Sequence, residues 1–266
     1  MTDTSAYLLA LQGTGLTYGL TAVGSAFVFL RRSPNPKFLS VSLGFAAGVM
    51  IAASFWSLLL PAIEICEVVG IKAYVWPAFG FICGALLMRF IDQLLPHLHA
   101  GAGLNEVEGI RVKLPVNTLL ILAITIHNLP EGMAVGVGFS GAGSALGVSD
   151  LSSAWALAIG IGIQNLPEGL AVSVPLREGG FSRIKSFLYG QFSGLVEPLG
   201  GLLGVAMAEV SGMFLPFVLS FAAGAMIYVV VEEVIPESQR SGQHDWATMG
   251  TIFGFVCMMV LDVALG

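Results

Sequence analysis

Two near-copies of one polar motif lie in the middle of two hydrophobic stretches, and they constrain the fold more than any other feature. The motifs are His127-Asn128-Leu129-Pro130-Glu131-Gly132 and Gln164-Asn165-Leu166-Pro167-Glu168-Gly169. A carboxylate at the centre of a bilayer costs about 2.5–3.5 kcal/mol on insertion scales. A proline inside a helix removes a backbone hydrogen bond. A chain that carries both features twice is expected to hold a cation inside a membrane.

The composition is that of a membrane protein. Of the 266 residues, 56% are hydrophobic and only 11% are charged, whereas a soluble domain carries about 25% charged residues. The 34 glycines suit helices that pack closely in lipid. The net charge of -6 and the lack of a basic patch argue against nucleic-acid binding. We therefore expect an all-α protein with most of its surface in contact with the lipid bilayer.

Eight stretches are long and apolar enough to span a membrane, which requires about 20 residues. They cover about residues 7–30, 38–60, 73–95, 115–139, 151–176, 183–208, 213–236 and 246–265. If the N-terminus lies outside, ten of the eleven Lys and Arg residues fall on the cytoplasmic side, and only Lys72 does not. Because basic residues favour the cytoplasmic side, we predict eight transmembrane helices in one domain, residues 1–266, with both termini extracytoplasmic.

The spans contain an internal repeat. The heptapeptide Phe45–Ile51 in the second span recurs at Phe221–Ile227 in the seventh, and the polar motif pairs the fourth span with the fifth. Phe79–Cys83 in the third span matches Phe253–Cys257 in the eighth. Members of each pair cross the membrane in opposite directions, so the repeat is inverted. Inverted-topology repeats are typical of secondary transporters, which bind their substrate near the midplane.

The chemistry of the two motifs points to a transition metal. In each motif the first and fifth residues share one helix face, and the asparagine flanks it. If the two faces pack together, two carboxylates, one imidazole and three carboxamides meet at one point. Carboxylates this close require a proton or a cation, and imidazole with carboxylates suits zinc and neighbouring divalent ions. The motif residues predicted to bind metal are His127, Asn128, Glu131, Gln164, Asn165 and Glu168.

One further carboxylate is expected at this site, and the motif prolines are expected to shape it. Glu197 is another midhelix carboxylate beside a proline. Pro130 and Pro167 cannot donate a backbone hydrogen bond, so we expect both motif helices to kink.

The duplicated Asn-Leu-Pro-Glu-Gly on adjacent central spans resembles the ZIP (Zrt/Irt-like) family of divalent metal transporters, and in particular its prokaryotic zinc-transporting branch. The resemblance covers essentially the whole chain and implies a two-metal centre between the second, fourth, fifth and sixth spans. It implies a first metal held by Met50, His127, Glu131, Gln164 and Glu168. It implies a second metal held by Asn128, Glu131, Asn165, Glu168 and Glu197, with the glutamates bridging. Many members have histidine where this chain has Gln164, a weaker ligand.

Other polar residues lie near the predicted cytoplasmic side and suggest an exit path for the ion. Asp92 is near the inner end of the third span, and Glu232 and Glu233 are near the inner end of the seventh. His97 and His99 follow in the loop after the third span. These five residues are the predicted exit path.

The function that we predict is import of Zn2+, with Cd2+, Fe2+ and Mn2+ as further cargo, into the cytoplasm by alternating access. We expect no enzymatic activity and a multi-pass location in a bacterial cytoplasmic membrane. Expected partners are divalent metal ions, lipid and a second copy of the chain in a homodimer. Two alternatives stay open. One is an intramembrane metal-dependent hydrolase, although the chain lacks His-Glu-x-x-His. The other is a proton-coupled organic cation transporter, which leaves His127 unexplained.

Overall fold

The computed structural model describes residues 3–32, 34–94, 116–142, 150–209 and 214–265, and the regular structure within these ranges is entirely helical. Six helical segments there are long and apolar enough to cross a membrane: Ser5–Leu30, Pro36–Val69, Trp76–Leu94, Leu151–Glu178, Leu215–Gln239 and His244–Leu265. The expectation of an all-helical membrane protein is confirmed. The count of eight spans and their orientation stay predictions.

The described ranges contain α-helices that we number in chain order. They are α1 Asp3–Ser25, α2 Phe27–Leu30, α3 Pro36–Ala53, α4 Leu60–Val69, α5 Trp76–Leu94, α6 Val116–Ala142, α7 Leu151–Glu178, α8 Arg183–Ser193, α9 Val196–Glu209, α10 Leu215–Val229, α11 Ile235–Gln239 and α12 His244–Leu265. The second predicted span, 38–60, comprises α3 and α4 and continues to Val69. The seventh comprises α10 and α11.

Wider turns of π-helix connect the two halves of these composite spans. Ser54–Leu59 joins α3 to α4, and Val230–Val234 joins α10 to α11. A proline stands second in each following helix, Pro61 in α4 and Pro236 in α11. Because proline has no N–H and its ring crowds the preceding turn, a π-turn ahead of it accommodates the ring without ending the helix. The second and seventh spans therefore resemble each other in the position of their π-turn as well as in sequence.

The helix break near the motifs lies in the sixth span, not at the motif prolines. Helices α6 and α7 run through Pro130 and Pro167 without ending there. The single helix predicted over 183–208 is instead α8 and α9, separated by a turn at 194–195. That prediction was wrong because hydropathy measures the length of an apolar stretch and is insensitive to a two-residue turn.

Polar side chains cap the N-termini of several helices at the ends of the bundle. Asn35 accepts a hydrogen bond from the backbone N–H of Lys37 at the start of α3, at 2.9 Å. Asp150 accepts one from the N–H of Ser153 at the start of α7, also at 2.9 Å. The backbone N–H of Ser153, together with the Ser152 and Ser153 hydroxyls, lowers the pKa of Asp150 to about 2. This N-cap therefore stays ionised at neutral pH.

Close glycine contacts establish the register of the repeat. A Cβ atom on Gly84 would lie 1.9 Å from the carbonyl oxygen of Phe221, and one on Gly254 would lie 2.1 Å from that of Phe45. Phe45 and Phe221 are the first residues of the two matching heptapeptides, so Gly84 is the counterpart of Gly254. The sequence comparison paired Gly80 with Gly254, which is wrong by one helical turn. Short matches among Gly-rich helices do not fix the register, whereas backbone contact does.

Glycine contacts of the same kind show that α1 and α9 are counterparts in the repeat, each packed against one motif helix. A Cβ atom on Gly132 would lie 2.2 Å from the carbonyl oxygen of Glu197, and one on Gly169 would lie 2.1 Å from that of Thr21. Gly132 and Gly169 are the last residues of the two motifs. Thr21 on α1 therefore occupies the position that Glu197 occupies on α9.

We expect Gly84→Ala to destabilise the fold, because its Cβ would overlap the backbone of Phe221. Overpacking of this kind costs about 1–3 kcal/mol, measurable as a lower midpoint of thermal unfolding in detergent. Gly15→Ala is the matched control, since its added Cβ would contact no described residue of another helix within 4 Å. Equal midpoints for both variants would contradict the close helix contact.

Candidate metal site

Six polar side chains from three helices come together inside the bundle. They are Asn128 and Glu131 on α6, Gln164, Asn165 and Glu168 on α7, and Glu197 on α9, and none is more than 8% exposed. The motif helices therefore meet through their polar faces. Carboxylates are rarely buried without a charged or hydrogen-bonding partner, so each of the three glutamates requires a physical explanation.

Glu131 lies at the contact between the two motifs. The Nε2 atom of Gln164 donates to Oε1 of Glu131 at 2.8 Å. Glu168 and Glu197 are both close enough to Glu131 to interact with it electrostatically. Three carboxyl groups thus share one enclosed region, where like charges repel strongly because the dielectric constant is low. A proton or a cation at this point would relieve that repulsion.

Glu197 is the most extensively hydrogen-bonded of the three carboxylates. Its Oε1 accepts from Nδ2 of Asn165 at 2.9 Å and from Nδ2 of Asn128 at 3.3 Å. The Thr21 hydroxyl donates to the same oxygen at 3.3 Å, and the Thr17 hydroxyl donates to Oε2. Charge-assisted hydrogen bonds are stronger than neutral ones. These bonds connect α1, α6 and α7 to the first turn of α9.

Five buried oxygen atoms in the same cluster accept no hydrogen bond within the described part of the chain. They are Oδ1 of Asn128, Oε2 of Glu131, Oε1 of Gln164, Oδ1 of Asn165 and Oε1 of Glu168. Buried polar atoms are nearly always satisfied in folded proteins, so an unsatisfied group of this kind indicates a ligand. All five are acceptors, and carboxylate and amide oxygens are typical ligands of cations.

His127 is directed to a different helix. Its Nε2 atom lies 3.5 Å from Oε1 of Glu233, on the π-turn that follows α10, and both side chains are 12% exposed. The sequence assigned His127 to the metal site and Glu233 to the exit path, and the structure pairs the two. Among the described residues, no group of three or more His, Cys, Asp or Glu side chains is arranged to hold a metal ion. This holds for the three glutamates as well as for His127, so the oxygen ligands of the cluster would include the carboxamides of Asn128, Gln164 and Asn165.

Comparisons with known proteins identify the family. A sequence model described as ZIP Zinc transporter matches residues 109–262. Zinc transporter ZIP11 of Xenopus tropicalis is 42% identical, with 98% of this chain and 98% of that protein aligned. The chain belongs to the ZIP family. Zinc transporter ZIPB of Bordetella bronchiseptica is 40% identical over 97% of this chain and 81% of its own length. Zinc transporter GufA of Myxococcus xanthus is 38% identical over 96% and 100%.

Membership of the ZIP family confirms the resemblance noted in the sequence and rejects one alternative. Proteins of this family are transporters, so the chain is a multi-pass membrane transporter and not a hydrolase. The family implied ligand sets for two metals. The structure brings six of those eight residues together, pairs His127 with Glu233 and buries Met50 among hydrophobic residues. The role of all eight residues as metal ligands stays a prediction.

The remaining predicted residues lie in varied surroundings. Met50 is fully buried in the main hydrophobic cluster. Asp92 is 7% exposed and accepts a hydrogen bond from the Tyr228 hydroxyl at 3.3 Å. Glu232 is exposed. His97 and His99 lie outside the described residues.

Sequence reasoning missed the role of α1 in this ZIP site. Thr14, Thr17, Thr21 and Ser25 recur every three or four residues on α1, and all four are fully buried. Such spacing places them on one helix face. A hydroxyl stripe in an apolar helix was the available signal, because it indicates a buried polar partner on a neighbouring helix.

We expect Glu197→Leu to lower the thermal unfolding midpoint of the purified protein strongly. The change removes the acceptor of the Asn128 and Asn165 amides, and each orphaned buried donor costs about 1–3 kcal/mol. The hydroxyls of Thr17 and Thr21 keep the backbone carbonyls of Thr14 and Thr17 as acceptors. Glu178→Leu is the control, since Glu178 is an exposed acid at the end of α7. A midpoint for Glu197→Leu equal to the control would show that these bonds contribute nothing to stability.

Proposed function

We propose that this ZIP protein carries zinc and related divalent transition metals into the cytoplasm through the buried cluster of α6, α7 and α9. The observation that supports this most is the set of five unsatisfied buried oxygens beside three carboxylates. A divalent ion would satisfy those oxygens and offset the carboxylate repulsion together. Relatives aligned over nearly the full chain are named zinc transporters, which favours zinc as the main cargo.

The proposed centre holds two metal ions. Met50, His127, Glu131, Gln164 and Glu168 would hold the first ion. Asn128, Glu131, Asn165, Glu168 and Glu197 would hold the second. The asparagines already orient their amide N–H groups toward Glu197, which leaves their carbonyl oxygens available to an ion. To bind the first ion, the His127 imidazole must leave Glu233. Imidazole is the ligand that distinguishes zinc from harder ions.

Alternating access would expose this centre to each side in turn. The moving group would contain α1, α6, α7, α8 and α9, which correspond to the first, fourth, fifth and sixth spans. Inverted repeats support such a mechanism, because two similar halves can exchange conformations. The break between α8 and α9 and the π-turns next to α4 and α11 are positions where helices can adjust without losing many hydrogen bonds. Homodimer formation stays a separate prediction.

Glu131→Ala is expected to abolish metal uptake into proteoliposomes, because Glu131 is shared by both proposed metal positions and bonded to Gln164. Uptake is measured with zinc, and with cadmium, iron and manganese in competition, across imposed pH gradients. Glu67→Ala is the control, since Glu67 is an exposed acid on α4. Normal uptake by Glu131→Ala would place the site elsewhere.

Gln164→His is expected to tighten zinc binding by about tenfold or more, since neutral imidazole is a better zinc ligand than a carboxamide. Slower release would accompany it, so that uptake falls while affinity rises. Calorimetry on the purified protein measures the affinity, and stopped-flow uptake measures the rate. Gln191→His, at a buried glutamine that bonds to Tyr18 on α1, controls for an added imidazole. An equal gain in both variants would remove Gln164 from the site.

A further inference from the structure

A large apolar cleft lies on the face of α7 opposite the polar side chains of its motif. Its volume is about 790 Å³, within the roughly 300–1,000 Å³ of typical ligand cavities. It is bounded by the end of α1 with α2, by the start of α3, and by the middle of α7. Lining residues include Phe27, Leu30, Phe38, Val41, Leu166 and Pro167. The cleft therefore extends from the loop between α2 and α3 toward the middle of the bundle.

The lining of the cleft matches hydrocarbon and little else. Its described lining contains five phenylalanines besides aliphatic residues, and Ser42 is the one hydroxyl-bearing residue among them. Such a surface offers almost no ligand atoms to a metal ion and almost no hydrogen bonds to a nucleotide or a sugar. In a bilayer, the hydrocarbon of lipid chains is the apolar species present at this depth.

The end of the cleft at the loop is basic. Arg31 and Arg32 directly follow Leu30, which lines the cleft, and both are exposed. Lys37 directly precedes the lining residue Phe38, and its Nζ lies 5.0 Å from the ring centre of Trp246. One acid, Asp245, adjoins Trp246 in sequence. Basic side chains with an interfacial tryptophan are the surroundings that an anionic lipid headgroup favours.

We propose that this cleft is a binding site for one anionic glycerophospholipid. Its acyl chain would lie between α2, α3 and α7, and its phosphate would contact Arg31, Arg32 and Lys37. The charge pattern predicts that this leaflet is the cytoplasmic one.

A lipid in this cleft would be connected to the metal motif through α7. Leu166 and Pro167 line the cleft, while their neighbours Asn165 and Glu168 belong to the metal cluster. The backbone of Leu166 also contacts α1, since a Cβ atom on Gly24 would lie 2.0 Å from its carbonyl oxygen. A bound chain would therefore touch the moving helices α1 and α7 and the start of α3 together.

The first experiment compares lipids on the delipidated wild-type protein by native mass spectrometry and by thermal unfolding in detergent. Phosphatidylglycerol is expected to bind with roughly tenfold or greater preference over phosphatidylcholine of the same chains, because each basic residue adds to the attraction of anionic lipid. Inorganic phosphate should produce no shift. Equal binding of the two lipids, or a shift with phosphate alone, overturns the proposal. This readout is independent of metal transport, so its failure leaves the proposed function untouched.

Two pairs of variants locate the site. Ser42→Trp fills the cleft and is expected to remove the bound lipid, whereas Val260→Trp adds the same side chain at an exposed position of α12. Ser42→Leu is a smaller filling that keeps the test valid if the tryptophan prevents folding. Lipid retention in both Ser42 variants overturns the proposal.

The second pair removes two positive charges in each case. Arg31→Gln with Arg32→Gln is expected to reduce the preference for phosphatidylglycerol by roughly tenfold or more. Arg183→Gln with Lys185→Gln changes the same charge at exposed residues of α8 and should preserve the preference. An equal loss in both double variants would indicate nonspecific attraction and would refute a defined site.

Discussion

The carboxylate of Glu197 and its donors determine how the polar interior of this protein is organised. A fully buried carboxyl group must be hydrogen-bonded, and Glu197 receives bonds from α1, α6 and α7. These contacts fix the distance between the two motif helices and orient both asparagine amides. The same orientation leaves amide and carboxylate oxygens unsatisfied beside Glu131 and Glu168. The proposed capacity to bind a cation would therefore follow from the way in which one buried acid is accommodated.

Glycine contacts bring these helices close enough for such bonds to form. Gly132 and Gly169 end the two motifs and place the backbones of α9 and α1 against them. Small residues at helix interfaces serve this purpose in membranes, where burial of apolar surface provides little drive for association. Around this group, α3 with α12 and α5 with α10 form a second set of close contacts. The first of these two sets coincides with the moving group that we propose.

Much of the site could be predicted from the sequence, because the duplicated motif fixes both residue types and spacing. Buried glutamates on apolar helices indicate a cation with few alternatives, and the repeated heptapeptide indicates inverted halves. Other features depend on tertiary contact. The pairing of His127 with Glu233 joins helices remote in sequence, and the turn before Glu197 leaves no hydropathy signal. Which residues of α5 and α12 correspond in the repeat could not be read from short glycine-rich matches. The correspondence follows from backbone contacts, of Gly84 in α5 with Phe221 and of Gly254 in α12 with Phe45.

The equivalence of Thr21 and Glu197 has a consequence for energetics. The two halves share a backbone plan, yet one carries a hydroxyl where the other carries an acid. If the two halves exchange conformations, as we propose, the two resulting states of the molecule therefore differ in energy. Two identical repeats would give states of equal energy. The resting preference between the two proposed orientations is expected to depend on this departure from symmetry, together with His127 in one motif opposite Gln164 in the other.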